Sequence, residues 1–174
     1  CGAGSPLPDP QRSGPCVAVI AGTTLVVVDA GTNGVRNLQR MGFRPGRIEA
    51  LFITHFHSDH IDGLGEIGTI LWAGGDNSSP LPVYGPEGVE KVVDGFNLAY
   101  SQDSTYRHDH HGDLVAPLSG AGLTAMPFAE PAIGELTTVR SEGDLKIEAL
   151  AVNHAPVEPA VGYRFTYRDR SVLI

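Results

Sequence analysis

The chain has 174 residues, of which 41% are hydrophobic and 18% are charged, so it is long enough for one globular domain with a sizeable core. Its formal net charge of −8 argues against a general nucleic-acid surface and against binding to an anionic membrane. Because no run of about 18 apolar residues occurs, the sequence also predicts no membrane-spanning helix.

The two ends of the sequence have the pattern of interrupted strands. Cys1 and Gly2 are interpreted as the end of a strand that starts upstream, although Cys1 also suits the lipidated first residue of a lipoprotein. Cys16 is interpreted as a small buried apolar residue, and two cysteines leave the redox compartment undecided. The segment 171–174 reads as a strand stopped midway. We therefore expect one domain, residues 1–174, incomplete at both ends, with the cytoplasm slightly favoured and export or a lipid anchor left open.

Strands and helices alternate in the first half of the chain. Residues 16–31 contain two runs rich in β-branched residues around a Gly-Thr pair, which predicts a hairpin. Apolar residues at helical spacing predict a helix over 33–43, and the mostly apolar run 48–53 predicts a buried strand. A second helical pattern covers 61–75, and residues 81–101 read as a short strand followed by a helix.

The second half is richer in strands. Residues 102–131 carry little periodicity, and the polar segment 106–112 is interpreted as a loop. Strands are then predicted at the following segments: 136–140, 145–154, 160–168 and 171–174. This order predicts an α/β or α+β domain in which helices cover the faces of sheets.

A dense set of metal-ligand side chains follows the predicted strand 48–53. His55, His57, Asp59 and His60 stand in the order H-x-H-x-D-H. Because His55 and His57 are two residues apart, their side chains leave an extended segment on the same side and suit one zinc ion. Asp59 and His60 lie at the turn into the next helix and point towards a second cation. A solvated loop rarely carries this order of ligands, so we predict a metal site.

The motif and four further stretches support a resemblance to a known family. The motif stretch 54–64, THFHSDHIDGL, resembles the H-x-H-x-D-H motif of the metallo-β-lactamase superfamily. Residues 25–31, LVVVDAG, are similar to the family's early strand that ends in Asp, and 151–165 are similar to the segment that carries the next metal histidine. The stretches 4–15 and 83–88 are most similar to the ribonuclease Z and arylsulfatase-like branch.

The resemblance implies a four-layered αββα sandwich, here truncated to the N-terminal half plus part of the second sheet. It implies that His55, His57 and His154 hold a first zinc and that Asp59 and His60 hold a second. It also implies that Asp29 is a carboxylate near the site. The family's bridging Asp and last His would follow Ile174, so the second metal site lacks two ligands in this sequence.

Such a site implies a hydrolase. Two zinc ions ~3.5–4 Å apart share a water and lower its pKa towards ~7, and the resulting hydroxide attacks a carbonyl, phosphoryl or sulfuryl centre. Asp59 would also orient the attacking water. The sequence has no G-x-S-x-G elbow, so a serine nucleophile is not indicated. We expect a small-molecule ester substrate: a phosphodiester, sulfate ester, lactam or lactone.

The charge balance of residues 95–147 disfavours RNA. Ribonuclease Z enzymes grip tRNA through a basic arm, and RNA binding needs several Lys or Arg side chains. This segment has three basic residues, Arg107, Arg140 and Lys146. Seven acidic residues oppose them: Asp103, Asp109, Asp113, Glu130, Glu135, Glu142 and Asp144. A tRNA 3′-processing endonuclease is therefore the first alternative, and a non-catalytic metal-binding module, with an uncovered sheet that pairs with a second copy, is the next.

A second histidine cluster lies in the predicted loop. His108, His110 and His111 are candidates for the mouth of the substrate pocket, where they would bind an anion or pass a proton. The neighbouring Asp109 and Asp113 make the patch less attractive to anions. We therefore favour a solvated polar segment and keep the pocket as the alternative.

Overall fold

The computed structural model describes residues 1–75 and 77–174. Its strands are β1 Val17–Ala21, β2 Thr24–Val28, β3 Ile48–Phe52, β4 Leu81–Pro86, β5 Leu123–Phe128, β6 Thr137–Glu142, β7 Leu145–Ala151, β8 Val161–Tyr167 and β9 Arg170–Leu173. Its helices are α1 Gly34–Arg40, α2 Ser58–Ile61, α3 Leu64–Gly75 and α4 Val89–His111, with short 3₁₀ turns at Pro45–Arg47 and Leu118–Gly120. Most elements predicted in the first half are thus confirmed.

The strands form two sheets. The first has the order β1-β2-β3-β4-β5, in which β1 and β2 are an antiparallel hairpin and β2 to β5 run parallel. The second is an antiparallel meander in the order β6-β7-β8-β9. Parallel strands need crossover connections, and the helices supply them. Because the carboxyl ends of parallel strands meet at one edge, side chains that follow them gather there.

Two apolar clusters hold the layers together. One fills the space between the helices and the first sheet, with Leu38 of α1, Leu51 of β3 and Leu64 of α3 almost fully buried. The other fills the space between the sheets, where Phe52 of β3 lies at 5.3 Å from Tyr163 of β8, ring centre to ring centre. A helical layer therefore covers one face of the first sheet and the second sheet covers the other, which confirms the predicted sandwich of α and β layers.

Two details differ from the expectation. Cys16 is not a lone apolar residue, because it forms a disulfide with Cys1, and Gly2 makes an isolated bridge to Cys16. The predicted loop at 106–112 is wrong, since α4 continues to His111. In the part of the chain that the structure describes, no helix is both long and apolar enough to cross a bilayer.

Candidate metal centre

The H-x-H-x-D-H segment leaves the carboxyl end of β3, in the middle of the first sheet. The Ile53 amide still donates to the Tyr84 carbonyl oxygen at 2.8 Å, which extends the pairing between β3 and β4 by one residue. The chain then turns, and His57 precedes the first residue of α2. A buried strand therefore aims the motif at the edge where ligands bind in open α/β sheets.

Three histidines converge at this edge. One ring nitrogen from each of His55, His57 and His154 lies within 4.8 Å of the other two. The ring centres are 4.8 Å apart for His55 and His57, 4.7 Å for His55 and His154, and 5.5 Å for His57 and His154. His55 is buried, whereas His57 and His154 are exposed. The three-histidine group is thus buried on the side of His55 and open to solvent on the side of His57 and His154.

His154 reaches the group from the second sheet. It lies in the loop between β7 and β8, which is closed by a hydrogen bond from the Val152 amide to the Ala160 carbonyl oxygen at 2.9 Å. The sequence separation of 97 positions between His57 and His154 is bridged only because the two sheets pack face to face. The third histidine predicted from the resemblance therefore lies beside the first two.

Two hydrogen bonds tie β8 to the residues just before His55. The Val161 amide donates to the Thr54 carbonyl oxygen at 2.9 Å. The Tyr163 hydroxyl donates to the Ile53 carbonyl oxygen at 2.7 Å, within a fully buried environment. These bonds fix the position of β8, and with it the loop that carries His154, relative to the histidine motif.

Asp29 lies beneath the motif and binds several of its groups. This buried residue follows β2 and has a left-handed backbone, with φ of 58°. Its carboxylate accepts from the Thr54 amide at 2.9 Å and from the Thr54 hydroxyl at 2.9 Å. It also accepts from Nδ1 of His60 at 2.8 Å. The carboxylate thus holds the backbone at Thr54 and directs Nε2 of His60 away from itself.

Thr54 also sets the tautomer of His55. Since the Thr54 hydroxyl donates to Asp29, its oxygen is an acceptor for Nδ1–H of His55 at 3.0 Å. Nε2 of His55 is then the unprotonated nitrogen, and it faces Nδ1 of His57 at 2.9 Å. The free electron pair of His55 therefore points into the three-histidine group.

Asp59 and His60 lie beside this group rather than within it. The carboxylate of Asp59 is 3.8 Å from Nε2 of His60, and the His60 ring centre is 4.1 Å from that of His55. Both side chains are largely buried, with 12% and 19% of their surfaces exposed. They form a neighbouring pair of ligand-type groups on the side of the motif that adjoins Asp29.

The pKa values of His55 and His60 are shifted in opposite directions. Burial and then the charge of His60 lower the pKa of His55 from 6.5 to about 4, although Asp29 acts in the opposite direction. Burial also lowers the pKa of His60, but the hydrogen bond and charge of Asp29, with the charge of Asp59, raise it above its ordinary value overall. A metal binds the neutral imidazole, so His55 is in its ligand form at neutral pH.

The donor set fits a divalent transition metal. Imidazole nitrogen is a common ligand of zinc, and three protein ligands with one open position are typical of catalytic zinc sites. The hydrogen bonds of His55 to Thr54 and of His60 to Asp29 correspond to the outer hydrogen bonds that usually orient metal-binding histidines.

Comparison with known proteins now identifies the family. Residues 9–174 match the family model described as metallo-beta-lactamase superfamily. The chain belongs to the metallo-β-lactamase superfamily. It is 34% identical over 177 residues to the ribonuclease Z of Mycolicibacterium gilvum (strain PYR-GCK), a match that covers 99% of this chain and 58% of that protein. For the ribonuclease Z of Mycobacterium marinum (strain ATCC BAA-535 / M), the identity is 34% and the coverages are 99% and 60%. The chain therefore spans about three fifths of the length of these relatives.

Two solved structures have a fold similar to that of this chain. The human tRNase Z, short form, superposes with a TM-score of 0.76 at 19% identity, covering 99% of this chain and 66% of that one. The metallo-β-lactamase fold protein YhfI from Bacillus subtilis gives a TM-score of 0.65 at 18% identity, with coverages of 99% and 59%. Both likenesses concern the fold.

The second histidine cluster lies elsewhere in this superfamily domain. α4 starts near the metal edge, and already at Asn97 it reaches the other edge, where its side chain bonds the Leu123 backbone at the start of β5. His108, His110 and His111 lie three to four turns further along the helix. Nδ1–H of His108 donates to the Ala116 carbonyl oxygen at 3.0 Å, so this ring helps to close the end of α4. The structure does not bring these histidines to the three-histidine group.

Sequence reasoning missed two residues of the centre. Thr54 could have been identified from its position directly before His55. Tyr163 could not, since it lies in a strand whose alternation predicts only a buried side chain.

Proposed function

We propose that the complete protein is a metal-dependent phosphodiester hydrolase of the ribonuclease Z type, which cuts precursor tRNA on its 3′ side. The observation that carries the proposal is the convergence of His55, His57 and His154 at the sheet edge. The relatives named ribonuclease Z, which match 99% of this chain, support RNA as the substrate. This is a narrower proposal than hydrolysis of a general small ester, and it takes up the alternative that the sequence had left second.

We propose zinc as the metal, held first by His55, His57 and His154 and, at a second position, by Asp59 and His60. The bound metal supplies Lewis acidity, which lowers the pKa of water and stabilises negative charge on the attacked phosphoryl group. Histidine and carboxylate ligands suit zinc, and the neighbouring position of the Asp59–His60 pair suits a two-metal arrangement.

The other groups of the chain prepare this site. His55 stays neutral because burial lowers its pKa to about 4, so that no proton competes for Nε2 at neutral pH. Asp29 fixes His60 through the bond to Nδ1, and Thr54 fixes His55 in the same way. Asp59 offers a carboxylate oxygen that accepts a hydrogen bond from the attacking water and so orients it.

A second candidate is a hydrolase of small esters, such as a phosphodiester, sulfate ester, lactam or lactone. One observation favours it: the stretch 95–147 has seven acidic and three basic residues, a balance that repels RNA. Both candidates use the same water-activating centre, so the substrate alone separates them.

The experiment compares substrates with and without metal. The complete protein is stripped with a chelator, reloaded with zinc, and assayed on precursor tRNA, bis(p-nitrophenyl) phosphate, an aryl sulfate, a lactam and a lactone. We expect metal-dependent cleavage of the precursor tRNA and of the small phosphodiester. His57→Ala should abolish both activities, and the matched control His110→Ala should retain them. Full activity of stripped protein would refute the metal role, and metal-dependent activity on any of the small esters without cleavage of precursor tRNA would favour the second candidate.

A further inference from the structure

The arginines of this acidic chain are unevenly distributed. The stretch 30–48 contains four arginines and no Asp or Glu, so its formal charge is +4. Since the whole chain carries −8, the remaining residues carry −12. The four positions are Arg36, Arg40, Arg44 and Arg47. This basic stretch lies outside residues 95–147, the segment in which acidic residues outnumber basic ones.

The basic stretch starts at the metal edge and runs away from it. Just before α1, the Ala30 amide donates to the His60 carbonyl oxygen at 2.7 Å, which joins this segment to the metal-binding motif. α1 then leads from that edge to the 3₁₀ turn Pro45–Arg47, directly before β3 begins at the opposite edge. All four arginines are exposed. Arg36 and Arg40 therefore lie on α1, and Arg44 and Arg47 follow at the 3₁₀ turn towards the opposite edge.

The arginines differ in whether a carboxylate neutralises them. Arg36 pairs with Glu66 of α3, so it is left out of the proposal. Arg40 donates to the Asn37 side-chain oxygen at 3.0 Å, which leaves its charge in place. Within residues 1–75 and 77–174, no ion pair involves Arg40, Arg44 or Arg47.

Arg44 and Arg47 also border one cleft. This open cleft has a volume of about 500 Å³, and Gln39 lines it together with the backbone of several glycines. Among the residues that the structure describes, none of those lining it is acidic. Two guanidinium groups, an amide and exposed backbone are groups that bind phosphate oxygens.

We propose that Arg40, Arg44 and Arg47 form a binding surface for the phosphate backbone of an RNA helix. This inference rests on the proposed function, because it assumes a phosphodiester polymer at the metal edge. Arg40 ends α1, and Arg44 and Arg47 lie at the two ends of the 3₁₀ turn that follows. Exposed arginines that pair with no carboxylate of residues 1–75 and 77–174 suit contacts to successive phosphates, which do not read bases. The surface holds the body of the RNA while the bond to be cut reaches the metal edge.

The test is a pair of charge-matched triple variants of the complete, zinc-loaded protein. One replaces Arg40, Arg44 and Arg47 by Ala. The control removes three exposed positive charges elsewhere, with Lys91→Ala, Arg168→Ala and Arg170→Ala. Binding of a fluorescent precursor tRNA is measured across a salt series, and the turnover of bis(p-nitrophenyl) phosphate by each variant reports whether its metal centre is intact. A third variant with Lys at the three arginine positions keeps the charge.

We expect the Ala variant to bind RNA at least ~10-fold more weakly at low salt, with a salt slope lower by about 2.7 for three lost phosphate contacts. The control and the Lys variant should stay within about threefold of the parent protein. Equal RNA affinity of the Ala variant and the control would overturn the inference. So would a parent protein that binds anionic lipid vesicles but no RNA.

The outcomes separate this inference from the proposed function. Hydrolysis of the small phosphodiester without any RNA binding overturns the RNA surface and leaves the metal-dependent hydrolase standing. RNA binding that depends on the three arginines, with no hydrolysis of either substrate, overturns the proposed function and leaves the surface standing.

Discussion

Two short segments of this chain hold three histidines each, and only one of them builds a convergent site. In the first segment, residues 55–57 lie between β3 and α2, and the side chains of His55 and His57 project to the same side before the helix begins at Ser58. Residues 108–111 lie on α4, where the rings of His110 and His111 approach to 4.5 Å between centres, whereas Nδ1 of His108 is bound to the Ala116 carbonyl oxygen. Among the residues that the structure describes, only the first segment contributes to a group of three ligand-type side chains whose ring nitrogens converge, so the surrounding fold matters more than the number of histidines.

Support from outside the segment is the second difference. The first cluster receives His154 from the second sheet and a buried carboxylate, Asp29, from beneath. The second cluster has Asp113 near His108 at 3.7 Å, but that aspartate has 85% of its side chain exposed. A carboxylate in solvent does little to orient its partner, because exposed pairs are weak.

The largest expected effect comes from removing one histidine in each cluster. We expect His57→Ala to weaken zinc affinity by more than the ~100-fold upper range of changes in outer partners, because it removes one of the three proposed ligands. The matched change His110→Ala should leave zinc affinity within about twofold. Isothermal titration calorimetry with zinc measures both. A similar loss of zinc affinity in the two variants would contradict the difference between the two histidine clusters.

A smaller loss is expected from the carboxylate under the first cluster. Asp29→Asn keeps the shape but removes the charge that holds Thr54 and His60, so zinc affinity should fall by about 10–100-fold. Asp113→Asn is the control at the second cluster and should change nothing measurable. Competition with a chromogenic chelator gives both affinities. An unchanged affinity in Asp29→Asn would show that the buried carboxylate has no part in orienting the ligands.

The tie between the sheets predicts a loss of stability. Tyr163→Phe keeps the ring but leaves the buried Ile53 carbonyl oxygen without its hydroxyl donor, at a cost of about 1–2 kcal/mol in the free energy of unfolding. Tyr84→Phe is the matched control, because Tyr84 stacks on Phe52 at 4.8 Å in the same cluster. Urea denaturation of metal-free protein measures both variants. Equal free energies of unfolding for the two variants would show that the hydrogen bond from Tyr163 to Ile53 does not stabilise the fold.

The smallest effect concerns an ionic group on the second sheet, away from either histidine cluster. Hydrogen bonds from Lys146 and Arg164 lower the pKa of Glu148 below its usual value of 4.5. A depressed carboxyl pKa stabilises the fold above the unfolded value, and this contribution disappears as the pH falls through the folded value. The destabilisation caused by Glu148→Gln should therefore be present at neutral pH and shrink towards about pH 3.

Urea denaturation at both pH values measures this difference, with zinc affinity at neutral pH as the control. We expect zinc affinity to remain unchanged, because Glu148 lies on β7 and the proposed ligands do not contact it. A destabilisation by Glu148→Gln that grows as the pH falls would contradict the lowered pKa of Glu148.

The sequence predicts the convergence of histidines at this edge because most of the pattern is local. The order of His55, His57, Asp59 and His60 and the apolar strand before them are visible in a few residues, and the resemblance adds His154. The tie from Tyr163 to Ile53 is not visible, because it joins backbone and side chain across 110 positions. Which strands meet across the two sheets depends on packing that no local pattern encodes.

The failure at 106–112 has a physical reason. α4 buries only Val89 and Val93 among its described positions, both in its first two turns. The rest of the helix is polar on most sides, so the apolar periodicity that predicts a helix is missing there. The Cys1–Cys16 disulfide was not predicted for another reason, since the positions of two cysteines in a sequence do not tell how closely they approach in the fold.

The most direct test of the central claim is X-ray absorption spectroscopy of the complete protein loaded with zinc. The account predicts imidazole nitrogen at ~2.0–2.1 Å from the metal, with the signal lost when His55, His57 and His154 are replaced together and retained when His108, His110 and His111 are replaced. Protein that binds no zinc, or a spectrum that survives loss of the first three histidines, would contradict the account.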